Sequence, residues 1–238
     1  MPDKSNVLLA SLPGPTLRDM LPELKVVKLE LGEVLCQPGD PIREVYFPAT
    51  CLISLIVVVA EMHALEVALI GHEGMVGVPL ALGARLTPVR ALVQGTGLAL
   101  KMSKTAFVAA MRNHEPLRKA LHAFSYTLMA QIGQTAACNR FHLLEARLAR
   151  WLLMTRDRAE SSELMITQEF LSTMLGVRRV TVSEAASSFR HKGLIEYSRG
   201  RITILDHAGL EAACCSCYGD HSASQGALPA WRPTPSEV

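Results

Sequence analysis

The 238-residue chain has no hydrophobic run long enough to span a bilayer. Its longest, Cys51 to Ala60, stops at Glu61, far short of the ~20 apolar residues that a membrane helix requires. It also has little excess of either charge. A net charge of +2 is too small to attract nucleic acid or a membrane surface, so binding of a polyanion would have to be local. The N-terminus carries one lysine before an apolar stretch broken by Pro13, Gly14 and Pro15, which makes a poor signal peptide. A cytoplasmic protein with no membrane partner is expected. There is no His-x-His pair, no nucleophile–base constellation, no phosphate-cradling glycine loop and no internal repeat, so no catalytic residue is assigned.

Hydrophobic residues at 49% and charged residues at 19% exclude bulk disorder, and the length suits one or two domains with a real core. In the cytoplasm the six cysteines are expected as thiols. Cys36, Cys51 and Cys138 stand alone in apolar segments, where cysteine is ordinarily a small core residue. Cys214, Cys215 and Cys217 cluster near the end of the chain. A thiol switch or a metal site there is one reading, but tetrahedral zinc takes four ligands and only His221 lies nearby in sequence. Inert packing of the last helix is the default, and no metal ligand is assigned.

Residues 24–102 read as short strands with a turn signal about every eight to twelve residues, the pattern of a β-sandwich or jelly roll. "CLISLIVVV", "ALEVALIG", "GMVGVPLALG" and "ALVQGTGLALKM" are the clearest strands, and "TLRDMLPEL" (16–24) is a short helix packed on them. At Ser103, a good N-cap, the period changes to helical. A long proline-free stretch follows Glu115 and Pro116, in which Leu117, Leu121, Phe124 and Leu128 recur in steps of four and three. That spacing is read as a dimeric coiled-coil seam, with Leu117, Leu121, Phe124 and Leu128 as the dimerisation residues; a helix laid on its own β domain is the alternative. "FHLLEARLARWLLMTRDR" (141–158) is a further amphipathic helix.

The C-terminal third is more specific. Thr167 is a good N-cap, Phe170, Leu171, Met174 and Leu175 give a buried face, and Gly176 suits a left-handed stop. A second helix buries Val182, Ala185, Ala186 and Phe189. Its opposite face holds Val180, Glu184, Ser187 and His191, flanked by Arg179 and Ser183. A tight turn between two such helices is a helix–turn–helix. "LIEYSRGRITIL" then alternates about Ser198-Arg199-Gly200, a hairpin that makes the unit a winged helix. From Gly176 to Arg201 six basic residues face two acidic ones, a local excess of +4. A helix N-terminus already carries partial positive charge, so adjacent Arg178 and Arg179 there call for an outside anion. Double-stranded DNA supplies it, with arginine suited to bidentate contact with guanine or phosphate. The candidate DNA-binding set is Arg178, Arg179, Val180, Thr181, Ser183, Glu184, Ser187, Arg190, Lys192, Arg199 and Arg201.

These motifs resemble the Crp/Fnr family of bacterial transcription regulators. The likeness extends to about Tyr218, through "LGEVLCQPGDPIREVYFP", "EVALIGHEGMVG", "RLARWLL" and "MITQEFLSTMLGVRRVTVSEAASSFRHKGLIEYSRGRITILD". It implies an α+β chain with four parts: a cyclic-nucleotide-binding-like β-roll (jelly-roll) sensor domain over 1–114, a dimerisation helix over 115–140, a winged helix–turn–helix over 141–217 and a disordered tail over 218–238. It also implies a homodimer on a palindromic site, and RNA polymerase as a partner if the protein activates. In the best-known members the recognition helix opens Ser-Arg-Glu-Thr-Val with a second arginine three residues on. Here Arg179 matches the first base-reading arginine, Val180 replaces the glutamate and Glu184 the second arginine, so a different site is expected.

The sensor motif departs as well. Family pockets hold the ribose with a Gly-Glu pair and the cyclic phosphate with an arginine followed by a hydroxyl residue. Here His72 separates Gly71 from Glu73, Gly74 follows, and Arg90 is followed by Ala91. Gly71, Glu73, Gly74, Arg90 and Ala91 are the candidate effector residues. A small anionic effector is compatible with them, cyclic AMP is disfavoured, and a plain internal pair of Glu73 with Arg90 is the simpler alternative; no cofactor is certain. The family's oxygen sensors carry an N-terminal cysteine cluster, which this chain lacks. Two alternatives stand beside this reading: a redox- or metal-responsive regulator acting through the C-terminal cysteines, and a cupin-like metal enzyme using His63, Glu66, His72 and Glu73.

Overall fold

Period-two alternation builds the N-terminal half. In the computed structural model, which describes residues 6–60, 63–198 and 200–218, two short helices, α1 (Val7–Ala10) and α2 (Gly14–Met20), precede seven strands. The strands are β1 (Lys25–Leu29), β2 (Val34–Cys36), β3 (Glu44–Pro48), β4 (Leu52–Ala60), β5 (His63–Ile70), β6 (Arg90–Gly95) and β7 (Gly97–Ser103), with α3 (Val78–Ala81) between β5 and β6. They form two antiparallel sheets, ordered β1-β7-β3 and β2-β6-β4-β5. Alternate residues point inward: Val45 and Phe47 on β3, and Ala91 and Val93 on β6, are fully buried in one core. This is the expected roll.

One expected strand is not there. "GMVGVPLALG" turns into α3, because Gly77 takes a positive φ of 104° and Pro79 sits in the first helical turn.

The second half has helical period. Ser103 caps α4 (Lys104–Asn113) by accepting from Ala106 N. Next come α5 (Glu115–Phe141), α6 (Leu144–Ala159), β8 (Glu163–Met165), α7 (Gln168–Leu175), α8 (Arg179–His191), β9 (Ile195–Ser198), β10 (Arg201–Ile204) and α9 (His207–Ala213). The wing is an antiparallel sheet ordered β8-β10-β9. A second core gathers Leu148, Leu152, Leu171, Val182, Phe189, Ile202 and Leu210. Roll residues reach it: Ile56 is part of that core, and Val58, Ala64 and Leu92 pack against it.

Helix α5 corrects the seam. Leu117, Leu121, Phe124 and Leu128 are buried in the core of the chain's own roll. Their spacing signalled burial against β5 and the short helices α1, α3 and α4 of the same chain rather than against a partner's helix. Gly74 makes the closest approach possible, since a Cβ there would sit within the Phe124 ring. The outward side of α5 instead presents His122, Tyr126, Met129, Gly133, Ala136 and Arg140, all exposed and also spaced by four and three. Tyr126 is 68% and Met129 67% exposed, unusual for large apolar side chains. Among the described residues, no helix is long and apolar enough to cross a membrane.

Candidate nucleic-acid interface

The helix–turn–helix forms for local reasons. Thr167 Oγ1 accepts from Phe170 N at 3.1 Å and starts α7. Gly176 ends it with φ 64°, its N–H turned back to the α7 carbonyls. Val182, Ala185, Ala186 and Phe189 bury one face of α8, as their spacing predicts. The small pair Ala185 and Ala186 lets α7 and α8 approach closely.

The other face of α8 is open. Arg178, Arg179, Val180, Thr181, Glu184 and Arg190 are all exposed, Val180 by 68%. Arg178 stands at the N-cap, and no side chain accepts from the first-turn amides. Such a terminus combines free N–H donors with dipole charge and is an anion-binding end. Among the described residues, neither Arg178 nor Arg179 has an ion pair or a side-chain hydrogen bond. Their charges are uncompensated within the chain.

The remaining candidates are less free. Ser183 and Ser187 are half-buried, and Ser183 Oγ accepts from Gln168 Nε2 of α7 at 3.3 Å. Lys192 lies 3.7 Å from Glu145, and Arg201 3.7 Å from Glu163. Exposed pairs at that distance are weak and would yield to phosphate. Arg199, His221 and the expected tail past Tyr218 lie outside the described residues, as does the side chain of His63.

The effector residues do not assemble as a pocket. Glu73 accepts from Arg158 Nε of α6 at 2.7 Å and from Gly71 N at 3.1 Å. Arg158 is 5% exposed at its side chain, so this is a buried tie between the roll and α6. Burial works to raise the Glu73 carboxyl, but the Arg158 charge and hydrogen bond outweigh it and hold it below the usual carboxylate range. Glu73 thus pairs with Arg158 and not with Arg90, whose Nε donates to Gln37 Oε1 at 2.8 Å. Gly71 and Gly74 make room, for Arg158 and Phe124 respectively. Of the five residues, only Ala91 lines the roll's large cavity.

That cavity, about 740 Å³, is walled mainly by apolar side chains including Leu35, Leu55, Val67, Met75 and Val89. Ser125, Leu128, Met129 and Ile132 of α5 close one side. The joint between the units continues with Trp151 Nε1 donating to Glu66 Oε1 at 2.8 Å and Gln94 Nε2 to Thr155 Oγ1 at 3.2 Å. Glu66 and Glu73, two members of the cupin-like set, are therefore spent on this joint.

The cysteines are brought together with partners that sequence reasoning missed. Cys215 Sγ lies 3.6 Å from Cys138 Sγ of α5, and Cys217 Sγ lies 3.6 Å from His142 Nδ1. Cys138 is thus not an isolated core thiol. The available signal was the Cys-x-x-x-His spacing at the end of α5, which puts both side chains on one helix face.

Residues 146–213 match the Crp-like helix-turn-helix domain family. The chain is similar in structure to a crp/fnr-family transcriptional regulator of Eubacterium rectale, with a TM-score of 0.69 and 18% identity over 87% of this chain and 96% of that one. It is similar to the c-di-GMP-responsive global regulator CLP of Xanthomonas campestris, with a TM-score of 0.68 and 14% identity over 82% of this chain and 100% of that one. A CRP/FNR-family regulator of Thermus thermophilus gives a TM-score of 0.65 and 22% identity over 79% of this chain and 97% of that one. No curated protein matches the chain.

Proposed function

We infer that the chain is a transcription regulator of the Crp/Fnr type that acts as a homodimer, reading a palindromic DNA site with α8. The observation that carries this reading is the exposed, uncompensated pair Arg178 and Arg179 at the uncapped start of α8. A recognition helix enters the major groove by that end, with phosphates alongside. Arg179, Val180 and Glu184 face base edges: arginine to guanine, valine to a thymine methyl, glutamate to cytosine N4. Arg178, Thr181 and Arg190 contact phosphate, and Lys192 and Arg201 reach it by leaving their acidic neighbours.

Two copies pair through the outward stripe of α5, where Gly133 and Ala136 allow close approach and Tyr126 and Met129 supply apolar area. The sensor input is the cavity in the roll. Its lining favours a carbon-rich effector over a cyclic nucleotide, and Met129 and Ile132 belong both to its wall and to the exposed side of α5. An occupant would press directly on the pairing helix.

Selection of bound duplexes from random DNA with the purified chain tests the reading. Two inverted half-sites about one helical turn, ~34 Å, apart are expected. Absence of enrichment from a folded dimer, with and without apolar extracts, would overturn it.

A further inference from the structure

The end of α5 and the segment after α9 converge on one point. Cys138, His142, Cys215 and Cys217 each offer a ligand atom there, and all four atoms lie within 4.8 Å of one another. They come from two short stretches 77 positions apart, so the fold and not the local chain assembles them.

The spacing is that of a coordination shell. With Zn–S near 2.3 Å and Zn–N near 2.0–2.1 Å, a tetrahedral site sets two sulfurs about 3.8 Å apart and a sulfur and a nitrogen about 3.6 Å apart. The observed Cys138–Cys215 and Cys217–His142 separations are both 3.6 Å. An iron–sulfur cluster spreads its thiolates over separate irons and needs a wider ring of ligands. Cys36 and Cys51 lie elsewhere in the roll, and Cys214 is not one of the four.

A buried cation beside the cluster points the same way. Arg150 is 6% exposed; among the described residues its buried Nε has no hydrogen-bond partner and its Nη atoms reach only Thr135 Oγ1, at 3.4 and 3.5 Å. A buried guanidinium this poorly satisfied is costly unless negative charge lies near it. Three thiolates around a dication carry one net negative charge, which Arg150 balances.

We propose that Cys138, His142, Cys215 and Cys217 form a tetrahedral site for a single thiophilic dication, zinc, that fastens the end of α5 to the end of the DNA-binding unit. Binding forms three S–Zn bonds and one N–Zn bond and releases three protons, one from each thiol; no electron is transferred. Four protein ligands close the shell, so the site is structural. It fixes the angle at which α8 is presented relative to the pairing helix. The inference stands apart from the DNA reading, and either can fail alone.

The test is titration of the reduced full-length chain with Co²⁺ and then Zn²⁺ in chelator-free buffer. One cobalt per chain is expected, with the intense visible bands of a tetrahedral thiolate complex. Stoichiometric zinc should abolish them, with a Kd of about 10⁻⁷ M or tighter. Cys214→Ser should leave the spectrum unchanged, whereas Cys217→Ser should weaken binding at least tenfold and reduce the thiolate bands. No uptake by the folded chain, a weak octahedral spectrum, or a Cys138–Cys215 disulfide that binds no metal after reduction would each overturn the proposal. So would a Cys217→Ser spectrum identical to the parent's.

Discussion

Burial between the roll and α6 pushes the Glu66 carboxyl up to about 7, and among the described residues its Oε1 accepts from Trp151 Nε1 while its Oε2 is buried without a close partner. In the unfolded chain the same group ionises near its ordinary 4.5. Between those values the folded protein holds a proton that the unfolded one has released. The stability this gives is fully present below about pH 4.5 and is lost as pH rises to about 7. Glu73 acts in the opposite sense: held low by Arg158, it stabilises above the ordinary carboxylate range and loses that contribution as pH falls. Glu66→Gln should therefore gain on the parent by up to ~3 kcal/mol as pH is raised from 4.5 to 7.5, read by urea unfolding at each pH. A pH-independent difference would mean that Glu66 titrates normally. These residue-scale ties were the least legible in the sequence. Glu73 resembles a family ribose ligand, and nothing in its neighbourhood reveals that Arg158, 85 positions away, claims it.

At the scale of elements, legibility followed sequence distance. The Thr167 cap, the Gly176 stop and the buried set of α8 depend on residues within one or two turns, so the helix–turn–helix could be read directly. "GMVGVPLALG" reads as a strand on apolar content alone, but Gly77 and Pro79 decide the backbone there. Helix α5 shows a subtler limit. Leu117, Leu121, Phe124 and Leu128 announce a buried face, but spacing does not say what buries it. The two faces separate by mutation. Leu121→Ala should cost ~2–5 kcal/mol of stability with the dimer retained, as for any large-to-small core change. Ala136→Glu should leave melting of the monomer unchanged and shift sedimentation toward the monomer, because two-fold symmetry sets the new charges against each other. Dissociation by Leu121→Ala with no loss of stability would restore the seam to the buried face.

At the scale of the molecule, three connections converge on α5 and α6. The cavity touches α5 at Met129 and Ile132, the roll grips α6 through Glu73 and Glu66, and the cysteine–histidine cluster joins α5 to the end of the DNA-binding unit. The turn of the helix–turn–helix also rests on the roll, with Gly176 close enough to Leu65 that a Cβ would stand 3.0 Å from it. A change in the cavity thus has short mechanical routes to α8. Salt dependence of binding belongs to this scale, because phosphate contacts add over the whole surface. Arg178→Ala should weaken all duplexes alike and lower the slope of log K against log salt by about 1.

The central claim is that Arg179 on α8 reads a base. Parallel selections from random DNA, at one salt concentration, with the parent chain and with Arg179→Ala test it most directly. The account predicts a palindrome for the parent. For the variant it predicts the same palindrome with preference lost at one base pair in each half-site, and affinity for the parent site reduced by about 1–3 kcal/mol at unchanged melting temperature. An identical motif recovered by both proteins would contradict it.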